Sequence, residues 1–378
     1  MIYEINAHLK TKRRRKIMKK KLVSMILCVA MVATMAVGCG SGAKNNGSSN
    51  NDKVADATTE VSDALVEEMK SMVPDGDYSK YTIGFCGMTL NNEYHIIVAN
   101  AVQQACNALG IKCEIQAGSQ HASVEEQLTI IENYVSQGVD GIILVPAASE
   151  GLISALQECE SANIPVINLD TKLDDSTLKT LGKDIPFYGT DNYVGGQLVG
   201  EEVAQMYPDG CKTAILRGVQ GQTNDDDRYN GFLDKAGDVV DLVAEQHANW
   251  ETDQGYTAIQ NIIQANKDLQ VIYCENDLMG IGAYQAVDEA GLTDQIKIFS
   301  YDGVTEGLQY VVDGKFVSTC AQQPIKMGKL GVANMAKIFA GKDAESYIDT
   351  GCELITSENA KQTLEETKKY TAEISPSK

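Results

Sequence analysis

Histidine and tryptophan are scarce in this chain: four and one, respectively, in 378 residues. No two histidines stand at metal-ligand spacing, and no CxxC pair occurs. There is no HExxH, no GxxxxGK[ST] and no GxSxG, which excludes zincin, P-loop and serine-hydrolase chemistry in their usual forms. The one dinucleotide-like string, Gly280-Ile281-Gly282-Ala283-Tyr284-Gln285, lacks the third glycine and falls inside a helical pattern rather than at a strand–helix turn. No nucleophile–base pair assembles. The chain therefore reads as a non-enzyme that needs no cofactor and no metal. Positive charge is scarce as well. Of 32 Lys+Arg, nine lie in 1–38, which leaves 23 basic against 51 acidic residues in 39–378, a net of −28. Such a body repels phosphate backbones, so nucleic acid is excluded as a partner. No repeat at 20–50 residues is present, which excludes a solenoid. At 43% hydrophobic and 22% charged, the composition is that of a globular protein of two or three domain lengths.

The basic residues gather ahead of Leu22–Val37, an uncharged apolar run of 16 residues. That is short of the ~20 needed to span a bilayer and suits a signal-peptide core. Residues 1–38 are read as this signal segment, with Met18-Lys19-Lys20-Lys21 as its natural start. Ala36-Val37-Gly38-Cys39 resembles the bacterial lipoprotein lipobox, although the family prefers Leu where Ala36 stands. The resemblance implies lipidation at Cys39 and a membrane tied on through lipid. Gly40–Glu60 is rich in Gly, Ser and Asn and has almost no large apolar residue, so 39–78 is read as the lipidated cysteine and a flexible tether. The body is expected outside the cytoplasmic membrane, on the outer face of the cell membrane. Its eight cysteines read as small buried hydrophobes.

From Tyr81 onward, strand-like and helix-like segments alternate. Strands are expected at Thr82–Met88, Ile111–Ala117, Gly141–Pro146 and Ile164–Asp170, with helices between them. The alternation restarts with strands at Lys212–Arg217, Leu242–Gln246, Gln270–Cys274 and Ile296–Tyr301. Phe316–Ala321, a helix over 324–340, a final strand over 347–355 and a polar helix from Ser357 complete the chain. The pattern predicts α/β architecture with two Rossmann-like, parallel-stranded units.

Polar side chains recur at the carboxyl ends of these strands, where open α/β sheets bind ligands. They are Asn91-Asn92, Asp170, Arg228, Trp250, Asn276-Asp277, Asp302 and Gln322. Carboxylates accept from hydroxyls, Arg donates in a fork, Asn and Gln do both, and an indole covers the apolar face of a ring. The mix suits a neutral polyhydroxylated ligand. Each residue also has a plainer role open to it: Asn92, Asn276 and Asp302 as caps, Arg228 as a solvated helix residue, Trp250 as core. Asp277 is assigned to capping.

The strings TLNNEYH (89–95), ANIPVINLD (162–170), YGTDNYVGG (188–196), DRYNGF (227–232), ENDLMGIGA (275–283), SYDG (300–303) and AQQP (321–324) together resemble the type 1 periplasmic binding proteins of the ribose/galactose sort. Those are the substrate-binding lipoproteins of sugar ABC transporters. The resemblance implies two lobes joined by a three-segment hinge, with lobe segments 79–189 plus 323–344 and 190–322 plus 345–357. A C-terminal helix or tail follows over 358–378. It implies crossings near Gly189–Asp191, Gln322–Pro324 and Asp343–Tyr347. It carries over a ligand set of Asn92, Tyr94, His95, Asp170, Arg228, Trp250, Asn276, Asp302 and Gln322. The implied ligand is a monosaccharide, pentose or hexose, or a polyol. The implied partner is the membrane permease of an ABC importer, and the implied state is a monomer. A sensor that presents the ligand to a membrane receptor kinase is the alternative. Thr171 and His95 depart from the ribose binder, which has Arg and a second aromatic there. Trp250 is similar to the galactose/glucose binder, whose calcium loop is not visible between Met206 and Lys212.

Overall fold

A computed structural model describes residues 61–374. The signal segment, Cys39 and the stretch 40–60 lie outside the described residues, so the expectations placed on them are not addressed by the fold. Twelve strands follow in chain order: β1 Thr82–Thr89, β2 Lys112–Gly118, β3 Gly141–Leu144, β4 Val166–Leu169, β5 Phe187–Gly189, β6 Cys211–Arg217, β7 Val240–His247, β8 Val271–Cys274, β9 Lys297–Asp302, β10 Ser318–Gln322, β11 Tyr347–Asp349 and β12 Cys352–Ile355. The helices are α1 Asp63–Ser71, α2 Glu93–Leu109, α3 Val124–Gln137, α4 Ile153–Ser161, α5 Asp175–Leu181, α6 Asn192–Met206, α7 Thr223–Ala236, α8 Thr252–Ala265, α9 Asp277–Glu289, α10 Thr305–Val312, α11 Pro324–Phe339 and α12 Ala360–Ile374.

The strands form two six-stranded sheets, ordered β11-β5-β4-β3-β1-β2 and β12-β10-β9-β8-β6-β7. All pairings are parallel except β10 with β12. In each sheet the order reverses beside its first strand. The crevices outside the carboxyl ends of β1/β3 and β6/β8 are therefore the places where such sheets bind ligands. The short strands β3, β4 and β8 are buried along their whole length. That is why they read as continuous apolar runs rather than alternating ones.

Three expectations are corrected. The strand expected over 347–355 is two strands in different sheets. β11 runs parallel to β5 in the first sheet, and β12 runs antiparallel to β10 in the second. Ile348 packs against the first core, so 345–349 belongs with the first lobe and not the second. The third crossing is then at Thr350-Gly351, where Gly351 holds φ 84°, rather than at 343–347. The tether expectation also ends too late. Val61, Leu65, Met69 and Met72 recur at helical spacing, and α1 seats Leu65 and Met69 in the first core. Ser62 caps α1 through Leu65 N–H. The C-terminal helix expected from Ser357 is present as α12, with Ala360 and Leu364 buried in the second core.

Candidate functional site

The first-lobe residues come from β1 and β4. Asn92 is the N-cap of α2: its Oδ1 accepts from Tyr94 N–H at 2.9 Å. That bond fixes the amide so that Nδ2 faces the cleft, 3.3 Å from His121 Nε2. Capping and cleft-lining are thus one geometry, not alternatives. Tyr94 and His95 follow on the first turn of α2, with their rings edge to face at 5.3 Å. Asp170 ends β4 and holds φ 65°. Its Oδ1 accepts from Tyr94 Oη at 2.8 Å.

The second lobe contributes the charge partner. Arg228, on α7, donates from Nε to Asn192 Oδ1 at 2.9 Å, and from Nη1 to Glu275 O at 2.5 Å and Asp302 Oδ1 at 3.2 Å. Its guanidinium lies 3.8 Å from the Tyr301 ring centroid and 5.3 Å from that of Trp250. The Arg228 side chain is only 3% exposed, so the solvated-helix role is excluded. Helix α6 reaches it closely because Gly196 has no side chain: a Cβ there would stand 2.4 Å from Arg228 O. Asn276 is the N-cap of α9. Its Oδ1 accepts from Met279 N–H at 2.9 Å and its Nδ2 donates to Trp250 O at 3.3 Å. Asp277, expected to cap, instead sits buried inside the first turn of α9. It accepts from Val304 N–H and Thr319 Oγ1, joining β10 to the loop after β9.

Trp250 is both core and lining. It is buried in the second core, and its indole N–H donates to Gln222 Oε1 at 2.7 Å. The ring lies flat against Gly218, where a Cβ would meet Cζ2 at 1.8 Å. The turn after β6 needs glycine for this reason. Glu275 holds that turn by accepting from Gly218 N–H at 2.9 Å.

Gln322, at the second crossing, ties the halves together. Its Nε2 donates to Asp302 Oδ1 at 2.7 Å while Oε1 lies 3.1 Å from Tyr94 Oη. A continuous polar chain therefore runs Asp170–Tyr94–Gln322–Asp302–Arg228–Asn192 from one lobe to the other. Burial pushes the Asp302 carboxyl up to about 6, against the pull of Arg228 and Gln322. Burial also raises Asp170, opposed by its Tyr94 hydrogen bond. Burial, helped by His121 and Arg228, drives His95 well below the usual imidazole range, so the ring is neutral. Its Nδ1 is buried without a partner.

All nine residues named from the sequence line one cavity between the lobes. Met88, His121 and Asn224 line it as well, and none of these was named. His121 follows β2 and Met88 lies near the end of β1. The strand-end rule that found Asp170 selects polar residues, so it passes over Met88, and His121 lies three residues beyond the end of β2. Asn224, on the first turn of α7, carries a buried Oδ1 without a partner.

The lobes are closed over this cavity. Gln222 Nε2 donates to Ala147 O at 2.7 Å, Thr223 N–H to Ser149 Oγ at 2.9 Å, Thr223 Oγ1 to Lys172 O at 3.1 Å and Thr305 N–H to Glu93 Oε2 at 2.9 Å. With two carboxyls, one guanidinium, neutral amides and the neutral His95 ring, the cavity disfavours an anion and offers acceptors to hydroxyl donors. No group of three or more His, Cys, Asp or Glu that could hold a metal ion occurs among the described residues.

Comparison with known proteins agrees with this geometry. Residues 83–343 match the periplasmic binding protein domain. The ribose import binding protein RbsB of Bacillus subtilis (strain 168) is 28% identical over 281 residues, 74% of this chain and 89% of its own length. The D-ribose/D-allose-binding protein of Pseudomonas aeruginosa is 31% identical over 255 residues, 66% of this chain and 77% of its own. Among solved structures, an ABC transporter periplasmic solute binding protein from Actinobacillus succinogenes 130z with bound D-allose superposes with a TM-score of 0.72. It is 31% identical and covers 75% of this chain and 100% of that one. With two doubly wound lobes, three crossings between them and a polar cavity where they meet, this chain belongs to the periplasmic binding protein family.

Proposed function

We propose that the protein captures a monosaccharide or polyol in the interlobe cavity and delivers it to the permease of an ABC importer, without catalysis. The observation that carries this reading is the convergence of the nine named side chains on one closed cavity. Ribose and allose binding by the relatives supports the ligand class.

In this reading Trp250 covers one face of the ring. Asp170 and Asp302 accept from ligand hydroxyls, Arg228 and Asn276 donate, and Asn92 and His95 serve the opposite edge. The lobes are 63–189 with 324–349 and 192–322 with 352–374. They rotate about 190–191, 323 and 350–351, and a ligand that prefers the closed form drives closure. The cleft is complete within one chain, so a monomer suffices. Lipidation of Cys39 ties the protein to the outer face of the cell membrane.

A thermal-shift panel of pentoses, hexoses, polyols, nucleosides and amino acids tests the ligand class. A sugar at 100 times its Kd adds about 2.7 kcal/mol of stability. Response to a nucleoside or amino acid alone would overturn the sugar assignment. Membrane fractionation of Cys39→Ser tests the anchor, with release from the membrane fraction as the expected outcome.

A further inference from the structure

Helix α8 begins in an unusual way. Glu251 holds the N-cap position but makes no capping bond through its side chain. N-caps are usually short polar residues whose oxygen turns back onto the helix. Here the carboxylate instead leaves its own lobe. Glu251 Oε1 lies 2.9 Å from His121 Nδ1, on the loop between β2 and α3 of the other lobe.

The proton positions along this path follow from the fixed end. Asn92 Oδ1 is taken by Tyr94 N–H, so Nδ2 presents a donor to His121. His121 Nε2 must then accept, which leaves the ring proton on Nδ1, pointing at the Glu251 carboxylate. The path Tyr94 N–H to Asn92, Asn92 to His121 and His121 to Glu251 thus has one direction from end to end. His121 is buried in the cleft, whereas the Glu251 side chain is 34% exposed at the rim and does not line the cavity.

We propose that His121 and Glu251 form a clasp across the cleft mouth that holds the closed form. In this proposal, His121 is the positioning residue that couples Asn92 in the binding cavity to closure. It rests on the binding reading above for its ligand, but not for its geometry. Opening must break the His121–Glu251 bond, since its ends belong to different lobes. Glu251 therefore acts on dissociation and on the closed population, not on contact with the ligand.

The test uses Glu251→Ala, Glu251→Gln, His121→Asn and the double variant His121→Asn/Glu251→Ala in the purified protein. Stopped-flow binding of the best-binding sugar and small-angle scattering with and without it are the readouts. One lost charge-assisted bond at a partly exposed rim predicts a dissociation rate about 3- to 10-fold faster in Glu251→Ala. The association rate and the unliganded melting temperature should stay as in the wild type. Glu251→Gln, which keeps an acceptor, should recover part of the loss. The double variant should dissociate no faster than His121→Asn. An unchanged dissociation rate in Glu251→Ala overturns the clasp, as does an equal loss of unliganded stability, which would mark a merely structural contact. If no ligand in the panel binds wild type, the binding reading fails by itself. Scattering then decides the clasp, which requires a larger radius of gyration in Glu251→Ala than in wild type.

Discussion

Replacing Asp170 with asparagine separates binding from folding. The residue is 5% exposed and holds φ 65°, a conformation that asparagine adopts more readily than most residues. Its Oδ1 accepts from Tyr94 Oη at 2.8 Å, and its Oδ2 lies 3.3 Å from Thr171 Oγ1. An amide oxygen keeps the first bond, and the Thr171 hydroxyl can turn to accept from the new Nδ2–H. Burial already raises this carboxyl, so removing the charge relieves a desolvation cost. Unliganded stability should hold or rise by about 1 kcal/mol. Binding should suffer, because a hydrogen bond to a charged acceptor contributes about 1.5–3 kcal/mol against about 1 for a neutral one. With two ligand hydroxyls on the carboxylate the loss is about 2–3 kcal/mol, or about 30- to 150-fold in Kd. Titration calorimetry with the sugar found by thermal shift, beside denaturant unfolding of the free protein, measures both quantities. A Kd within threefold of wild type would refute the placement of Asp170 on the ligand. A collapse of unliganded stability would refute the account of its burial.

Other outcomes follow from the same geometry. Burial pushes Asp277 up to about 7 and Asp302 up to about 6 from an ordinary 3.8. Folding therefore favours their protonated forms, and unliganded stability should fall as pH rises from about 4 to 7. The Asp277 contribution reaches up to about 4 kcal/mol. Urea unfolding at several pH values should show this slope, and Asp277→Asn should flatten it. Gln322→Leu removes one of two partners from Tyr94 Oη, which keeps Asp170, and from Asp302 Oδ1, which keeps Arg228. It should cost about 1 kcal/mol of unliganded stability, a loss that unfolding midpoints would detect. Gly218→Ala forces a methyl into the Trp250 indole. A loss of about 1–3 kcal/mol, a shifted tryptophan emission and weakened binding are expected, and normal emission with normal affinity would contradict the packing described.

The double alternation of strands and helices was legible because buried parallel strands leave short apolar runs between turn residues, as in Gly141–Leu144 and Val271–Cys274. Asp170, Asn276 and Asp302 were legible because the strand-end rule depends on position and polarity alone. His121 was not found, since its strand β2 is half-exposed along much of its length and its end does not stand out. The split of 347–355 was hidden because Thr350-Gly351 is only two residues long and nothing local says that the sheet changes there. The role of Trp250 was half legible. Its polar neighbours argued for the cleft, but the packing against Gly218 depends on residues 32 positions apart in sequence. The positive φ of Asp170, Trp250 and Asp302 leaves no mark in composition. These are three of the five non-glycine residues with positive φ among those described, and all three line the cavity.

The contact between Gly218 and Trp250 restricts how this binding site can change. At position 218, any side chain collides with the indole. At position 250, a smaller residue opens a void over the bare glycine and leaves Gln222 Oε1 without its donor. Each single step from the present pair is therefore unfavourable, while a joint exchange of a larger residue at 218 for a smaller one at 250 can refill the space. The two positions form an epistatic unit. With Trp250 stacked on the ligand as proposed, a shift to a differently shaped ligand should appear in laboratory evolution as a coupled pair of changes, with the second rescuing the first.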